Sequence, residues 1–337
     1  MNQKIFQKTV GDVKRILIKN KLSTKVGSIN IEELLRNRIE QQENNLLVFC
    51  KDAKDYDYIL KYSITHLTGK KHSGVRALLN VKNEINFYQQ VVDEKNNNVI
   101  IPKLLDASSR PHPYLILEKL DVKEIELFPE DTFFRKNFLP MNIIEPVIKG
   151  MIEFQSLKVD KDIFHHMTTQ NIQPWLSLIE GAYRGKIKHI KQRVRSLFSK
   201  YSSLWDREVK SLVHGDIEGD TFGYEKGTNR IVLLDFEKTQ IGHPLHDFAF
   251  FVQNPQERSW NKAFVKTLLI YFPQKEYHIL FTLSRLLKTL TCLNNFRTGR
   301  IDHVFVGILG NKKRYEEMKK IYIPLWEKDA LELVETV

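Results

Sequence analysis

Cysteine is almost missing from this chain: Cys50 and Cys292 are the only two in 337 residues, far apart and in no Cys-x-x-Cys pair. That excludes a disulfide framework and the common cysteine zinc sites, and it makes a reducing, cytoplasmic setting the expectation. Glycine and proline are also sparse, at 15 and 11 residues, too few for a long flexible linker between independent units. Two lobes sharing one cleft suit this length better than two separate beads. No apolar run approaches the roughly 20 residues needed to cross a bilayer. Met1 to Asn20 alternates charged with apolar residues and carries no cleavage signal, so the chain reads as soluble, with no membrane partner. Fixed-period repeats and low-complexity tracts are absent too.

What is present suits a globular enzyme. Hydrophobic residues make up 42% and charged residues 28%, enough apolar surface to bury a sizeable core. The formal charge of +11 raises the question of an anionic partner. The basic residues are scattered, however. The densest group, Arg184 to Arg195, has Ile187, Ile190, Val194 and Leu197 recurring at helical spacing, the pattern of a helix with one solvated basic face. A nucleic-acid partner is therefore disfavoured, and composition leaves the oligomeric state open.

The first third opens on a helix-like segment with Ile5, Phe6, Val10, Val13, Ile16 and Leu17 in phase. Strand-like runs follow at Leu46–Cys50, Tyr58–Ser63, Val99–Leu105 and Tyr114–Leu117, with a helix over Val81–Val92 between the second and third. After Glu118 helical spacing dominates, at Ile143–Leu157, Trp175–Phe198 and Ala263–Phe272. The exception is Leu212 to Phe236. There Leu212 and Val213, then Ile231 to Leu234, read as short buried strands, with Glu225–Asn229 as a hairpin turn.

These strands deliver two carboxylates. Asp216 follows the first, in Leu-Val-His-Gly-Asp, and Asp235 follows the second, in Leu-Leu-Asp-Phe-Glu. Phosphoryl transfer needs such a pair: one carboxylate takes or orients the proton of the attacking hydroxyl, and the other holds the magnesium that neutralises the phosphates. Asp216 suits the first task and Asp235 the second. A strand lysine for the phosphates and a helical glutamate to hold it are available in Lys61 and Glu84. His165, His166, His243 and His246 have no cysteine or carboxylate cluster to complete a zinc site and are read as structural.

His214-Gly215-Asp216, Leu234-Asp235-Phe236-Glu237 and Gly242-x-Pro244-x-x-Asp247-x-Ala249 together resemble the aminoglycoside phosphotransferase, choline kinase and homoserine kinase group, relatives of the protein kinases. The resemblance spans Asn45 to Phe251. It implies an α+β, two-lobed protein-kinase-like fold: a small sheet-containing lobe over residues 1–117, with an N-terminal helical extension, and a mainly helical lobe over 118–337. It also implies transfer of the γ-phosphate of ATP, or GTP, to a hydroxyl of a small molecule, with Mg2+. Asp216 would be catalytic base and Asp235 a metal ligand, His214 would support the catalytic loop and Asp247 would anchor it. Pro113 to Leu120 resembles the last small-lobe strand running into the hinge, so the backbone of Leu117, Glu118 and Lys119 is expected to meet the nucleobase.

Two positions depart from the family pattern. Where the group has an asparagine metal ligand five residues after the catalytic aspartate, this chain has Thr221, preceded by Asp220. A carboxylate is the better magnesium ligand, so Asp220 is expected to take that role. Glu40 to Asn45, where relatives carry a glycine in the loop over the phosphates, contains none, and backbone approach to phosphate is correspondingly harder. These departures sustain an alternative, a kinase-fold protein that binds nucleotide or a partner but catalyses little. Retention of Lys61, Glu84, Asp216 and Asp235 favours the enzyme. A protein kinase is disfavoured because no Asp-Phe-Gly followed by Ala-Pro-Glu is present.

Overall fold

A computed structural model of the protein describes residues 3–24, 30–40, 45–67, 71–91, 96–121, 125–127, 140–217, 221–254, 256–299 and 311–337. It has two lobes. The small lobe begins with α1 (Gln3–Lys19), β1 (Ser23–Thr24), α2 (Ile31–Glu40), β2 (Asn45–Lys51), β3 (Asp57–Ser63) and α3 (Lys71–Gln90). β4 (Val99–Ile100), β5 (Leu104–Ser108) and β6 (Tyr114–Glu118) follow. β1, β2, β3, β6 and β5 form, in that order, an antiparallel sheet.

Period-two alternation decides which side chains reach the cleft. Leu46, Val48 and Cys50 on β2, Leu60 and Tyr62 on β3, and Tyr114 and Ile116 on β6 are buried on one face, against Phe6, Val10, Val13 and Leu17 of α1 and Leu35 of α2. The intervening Leu47, Ile59, Lys61 and Leu117 then line the opposite face. A one-residue slip of β3 would send Lys61 into the α1 core.

The expected Val99–Leu105 strand is divided. Val99 and Ile100 pair parallel with β10 (Ile231–Leu233) of the large lobe, while Leu104 onward pairs with β6 in the small one. Pro102, with no N–H to donate, falls between the halves. β10 also pairs with β9 (Phe222–Glu225), which pairs with β7 (Ile125–Leu127). The β9–β10 turn is the expected one: Asn229 donates to Glu225 O at 3.0 Å, and Gly227 takes φ +88°. β8 (Ser211–Val213) lies apart from that hairpin and pairs with β11 (Gln240–Gly242).

Helices make up the rest: α4 (Ile144–Gln155), α5 (Thr169–Leu178), α6 (Lys191–Lys200), α7 (Ser202–Glu208), α8 (Phe248–Phe251), α9 (Arg258–Tyr271), α10 (Lys275–Thr298) and α11 (Lys312–Thr336). The expected Trp175–Phe198 helix is interrupted, with Gly185 at φ +61° between 3-10 turns. Arg184, Lys186, Lys188, Arg193 and Arg195 are exposed there and Ile187, Ile190, Val194 and Leu197 buried, the solvated basic face anticipated. Among the described residues no helix is long and apolar enough to cross a membrane.

Candidate active site

Lys61 is the centre of the site. Its Nζ lies 2.7 Å from Glu84 Oε2 on α3, 2.9 Å from Asp235 Oδ1 and 2.8 Å from Glu237 Oε1. Glu84 is fully buried, and the three carboxylates gather within 4.8 Å. Burial works to lower the Lys61 pKa, but attraction by Glu84, Asp235 and Glu237 overrides it and the amine is held protonated. Glu84 responds the other way: burial pushes its carboxyl up to about 7, and Lys61 offsets that only in part. The asymmetry is physical, since Lys61 faces three anions while Glu84 faces one cation and two like charges. Sequence reasoning passed over Glu237 although it belongs to Asp-x-Glu. Asn45 Nδ2 donates to its carboxylate at 3.1 Å, and Asn83 Nδ2 donates to its carbonyl at 3.1 Å and to that of Thr239 at 2.7 Å.

Asp235 caps the 3-10 turn Phe236–Lys238 in a left-handed conformation, φ +60°, an uncommon backbone for a residue with a side chain and one that clusters at functional sites. Phe236 anchors this turn. Its ring stacks on Phe87 at 3.9 Å and meets Tyr88 edge-on at 5.4 Å and His214 at 5.0 Å, so α3 and the loop after β8 are joined through one aromatic cluster.

The loop after β8 carries Asp216. Its carboxylate lies 2.5 Å from Lys238 Nζ, at the end of the turn that Asp235 begins. Asp216 and Asp235 therefore flank one turn although they come from separate ribbons. Asp247, fully buried, accepts from the His214 N–H at 2.7 Å and the Gly215 N–H at 3.0 Å. Burial pushes the Asp247 carboxyl up to about 6 against those two donors. His214, whose pKa burial lowers, places Nε2 2.8 Å from Leu234 O. Gly215 is required here: φ is +79°, and a methyl group would lie 2.5 Å from Lys238 O.

A cleft of about 590 Å³ opens between the lobes, lined at one end by Lys61, Glu84, Asp235 and Glu237 and at the other by Leu117, Glu118, Lys119 and Leu120. The backbone N–H groups of Glu118 and Lys119 are already committed, to Lys103 O at 2.8 Å and Asp57 O at 2.9 Å. Neither N–H is therefore free to donate to a group seated in the cleft. Thr221 also lines the cleft, its hydroxyl donating to Asp216 O at 2.7 Å. Asp220, expected as second metal ligand, lies outside the described residues, as do residues 41–44 of the glycine-free segment. Among the described residues, Glu84, Asp235 and Glu237 form the only cluster of potential cation ligands. Their hard oxygen donors suit magnesium. His243 and His246 are buried in the large lobe, with Ser284 Oγ 2.8 Å from His243 Nε2.

The family model of the phosphotransferase enzymes, APH, matches residues 37–278. The chain belongs to that phosphotransferase family. No curated protein matches it significantly by sequence. Among solved structures, this phosphotransferase is similar to the GDP and kanamycin complex of APH(2'')-IIIa, at 12% identity and TM-score 0.53, covering 95% of this chain and 99% of the other. The GDP complex of wild-type aminoglycoside 2'-phosphotransferase-IIIa is similar at 15% identity and TM-score 0.50, covering 86% and 90%. At such identities the likeness is one of fold, the kinase-like two-lobed architecture expected from the motifs. The family match spans the Lys61 strand, the hinge, and the loops carrying Asp216, Asp235 and Asp247.

Proposed function

We propose that the protein transfers the γ-phosphate of ATP or GTP to a hydroxyl of a small molecule. The observation that carries this reading is the convergence on one cleft of Lys61, its buried partner Glu84 and Asp235, with Asp216 across the same turn. Family membership supports it, as do the nucleotide and amino sugar bound by the first of the similar structures. Residues 1–117 would form the nucleotide-binding unit and 118–337 the unit that carries catalysis and acceptor recognition.

Lys61 would hold the phosphates and Glu84 would hold Lys61. The base would lie between the apolar walls near Leu117, Glu118 and Lys119. Asp235, with its acidic neighbours, would hold magnesium, which supplies charge neutralisation to the phosphates when bound. Asp216 would accept or orient the proton of the attacking hydroxyl, its loop fixed by Asp247 and His214. Since phosphoryl transfer asks for little covalent work, positioning and electrostatics carry most of the rate.

The test is a magnesium-dependent coupled assay with ATP and GTP against amino alcohols, sugars and aminoglycosides. Asp216→Asn is expected to reduce turnover by about 10²- to 10⁴-fold while nucleotide binding persists, and Asp235→Asn to abolish the magnesium-dependent turnover. A folded wild-type protein that binds nucleotide and phosphorylates no hydroxyl compound would favour the catalytically silent binding protein.

A further inference from the structure

One phenylalanine among the described residues is exposed, and it faces the cleft. Val48 and Cys50, on either side of it in β2, point into the small-lobe core, so strand alternation turns Phe49 to the opposite face. There it lines the cleft and is 42% exposed, whereas every other described phenylalanine is buried or half-buried. Apolar surface left in water is unfavourable, and a ligand that covers it recovers that cost.

The register fixes where the ring stands. Phe49 pairs with Ile59 on β3, and Ile59 pairs with Leu117 on β6, so three cleft-lining side chains form one row across the sheet. Lys119 Nζ lies 5.8 Å from the centre of the Phe49 ring and 3.6 Å from Asp57 Oδ2, which ties the ring to the hinge end of the cleft. The next row on the same face is Leu47 and Lys61, two residues on and about 7 Å along the strands. An apolar compartment with an aromatic ring on its wall therefore adjoins the lysine and its carboxylates. That is the order of parts in a nucleotide, a planar base followed by charged phosphates.

We propose that Phe49 is the base-stacking residue of the nucleotide site, its ring packing against the face of the purine of ATP or GTP. The proposal rests on the phosphotransferase reading. Stacking uses the π-face that adenine and guanine share and does not read their exocyclic groups, so one residue serves either nucleotide. The N–H groups of Glu118 and Lys119 do not take over this task, since both are committed within the protein.

The test is equilibrium binding of ATP and GTP, with magnesium, to the full-length protein and its Phe49→Ala, Phe49→Leu and Phe49→Trp variants. Phe49→Ala is expected to weaken both nucleotides by about 5- to 150-fold, the loss of one base–aromatic stack, and by similar factors for the two. Phe49→Leu is expected to fall between. Phe49→Trp is expected to keep its affinity, and the emission it adds over the background of four native tryptophans should be quenched as nucleotide binds, a change that a merely structural role does not produce. Undiminished affinity of Phe49→Ala, a loss confined to one of the two nucleotides, or added emission unchanged at saturating nucleotide would overturn the assignment and leave the phosphotransferase reading standing. If Phe49→Ala melts below the wild type, the emission result alone decides. Failure of the wild-type protein to bind either nucleotide would overturn both.

Discussion

Replacing Lys61 by methionine tests the electrostatics of the site directly, because it removes the one cation shared by three carboxylates. Lys61 is 13% exposed and Glu84 only 2%, whereas Asp235 is 44% exposed. The contact with Asp235 is therefore screened by water and contributes little to stability. The contact with Glu84 is a buried pair, and removing one partner of such a pair costs about 3–5 kcal/mol. Glu84 recovers part of this by taking up a proton, so the lower end, about 3 kcal/mol, is expected at pH 8. In the wild type the Glu84 carboxyl sits at about 7, and without Lys61 it moves higher still. A carboxyl raised in the folded state stabilises fully below its unfolded value and loses that contribution as pH climbs through the folded value. The difference between Lys61→Met and wild type should therefore widen as pH rises above 7 and level off below it. Removing the stranded charge should repair the damage: Lys61→Met/Glu84→Gln is expected to regain most of the loss, and Glu84→Gln alone to cost about 1 kcal/mol, since Lys61 keeps two partners. Chemical denaturation followed by far-UV circular dichroism is the assay, because all four tryptophans lie beyond residue 170 and report on the large lobe. A double variant no more stable than Lys61→Met would refute the reasoning.

Gly215→Ala places a methyl group against a backbone oxygen at a left-handed position; a loss of about 2 kcal/mol or more is expected in thermal denaturation, with turnover falling because the Asp216 loop must shift. Asp247→Asn offers one oxygen where two N–H groups now bond; a loss of about 1–3 kcal/mol is expected, and kinetics should show kcat falling with the KM for nucleotide little changed. His66 and His246 are held neutral by burial, at about 4 and about 3, and His243 well below its ordinary value. Their contribution is present above the unfolded value near 6.5 and fades as pH falls, whereas Glu84 and Asp247 act in the opposite sense. A net uptake of about one to two protons on unfolding at pH 5.5 follows, and a protein that gained stability between pH 6.5 and 5.5 in denaturant titrations would contradict the assignment.

Much of the site was legible because phosphoryl chemistry demands few residue types and local sequence delivers them. Short apolar strands end in Asp216 and Asp235, and alternation along β3 places Lys61 on the face opposite Leu60 and Tyr62. Glu237 belongs to the Asp-x-Glu motif, but nothing local says that it turns back on the lysine. Lys238 was invisible, because it contacts Asp216 across 22 positions. Strand partnership was equally hidden, because Val213 or Val99 would suit several neighbours and only the assembled sheets choose.

Sequence by itself determined the small antiparallel sheet, the helical remainder, the two acidic loops and the lysine–glutamate pair, because hydrophobic period and residue chemistry are local properties. Tertiary structure alone decided which ribbons place Asp216 and Asp235 on one turn and how three carboxylates share Lys61. Those outcomes depend on packing between residues remote in the chain, and the resulting desolvation and Coulomb interactions exist only once the lobes have closed around them.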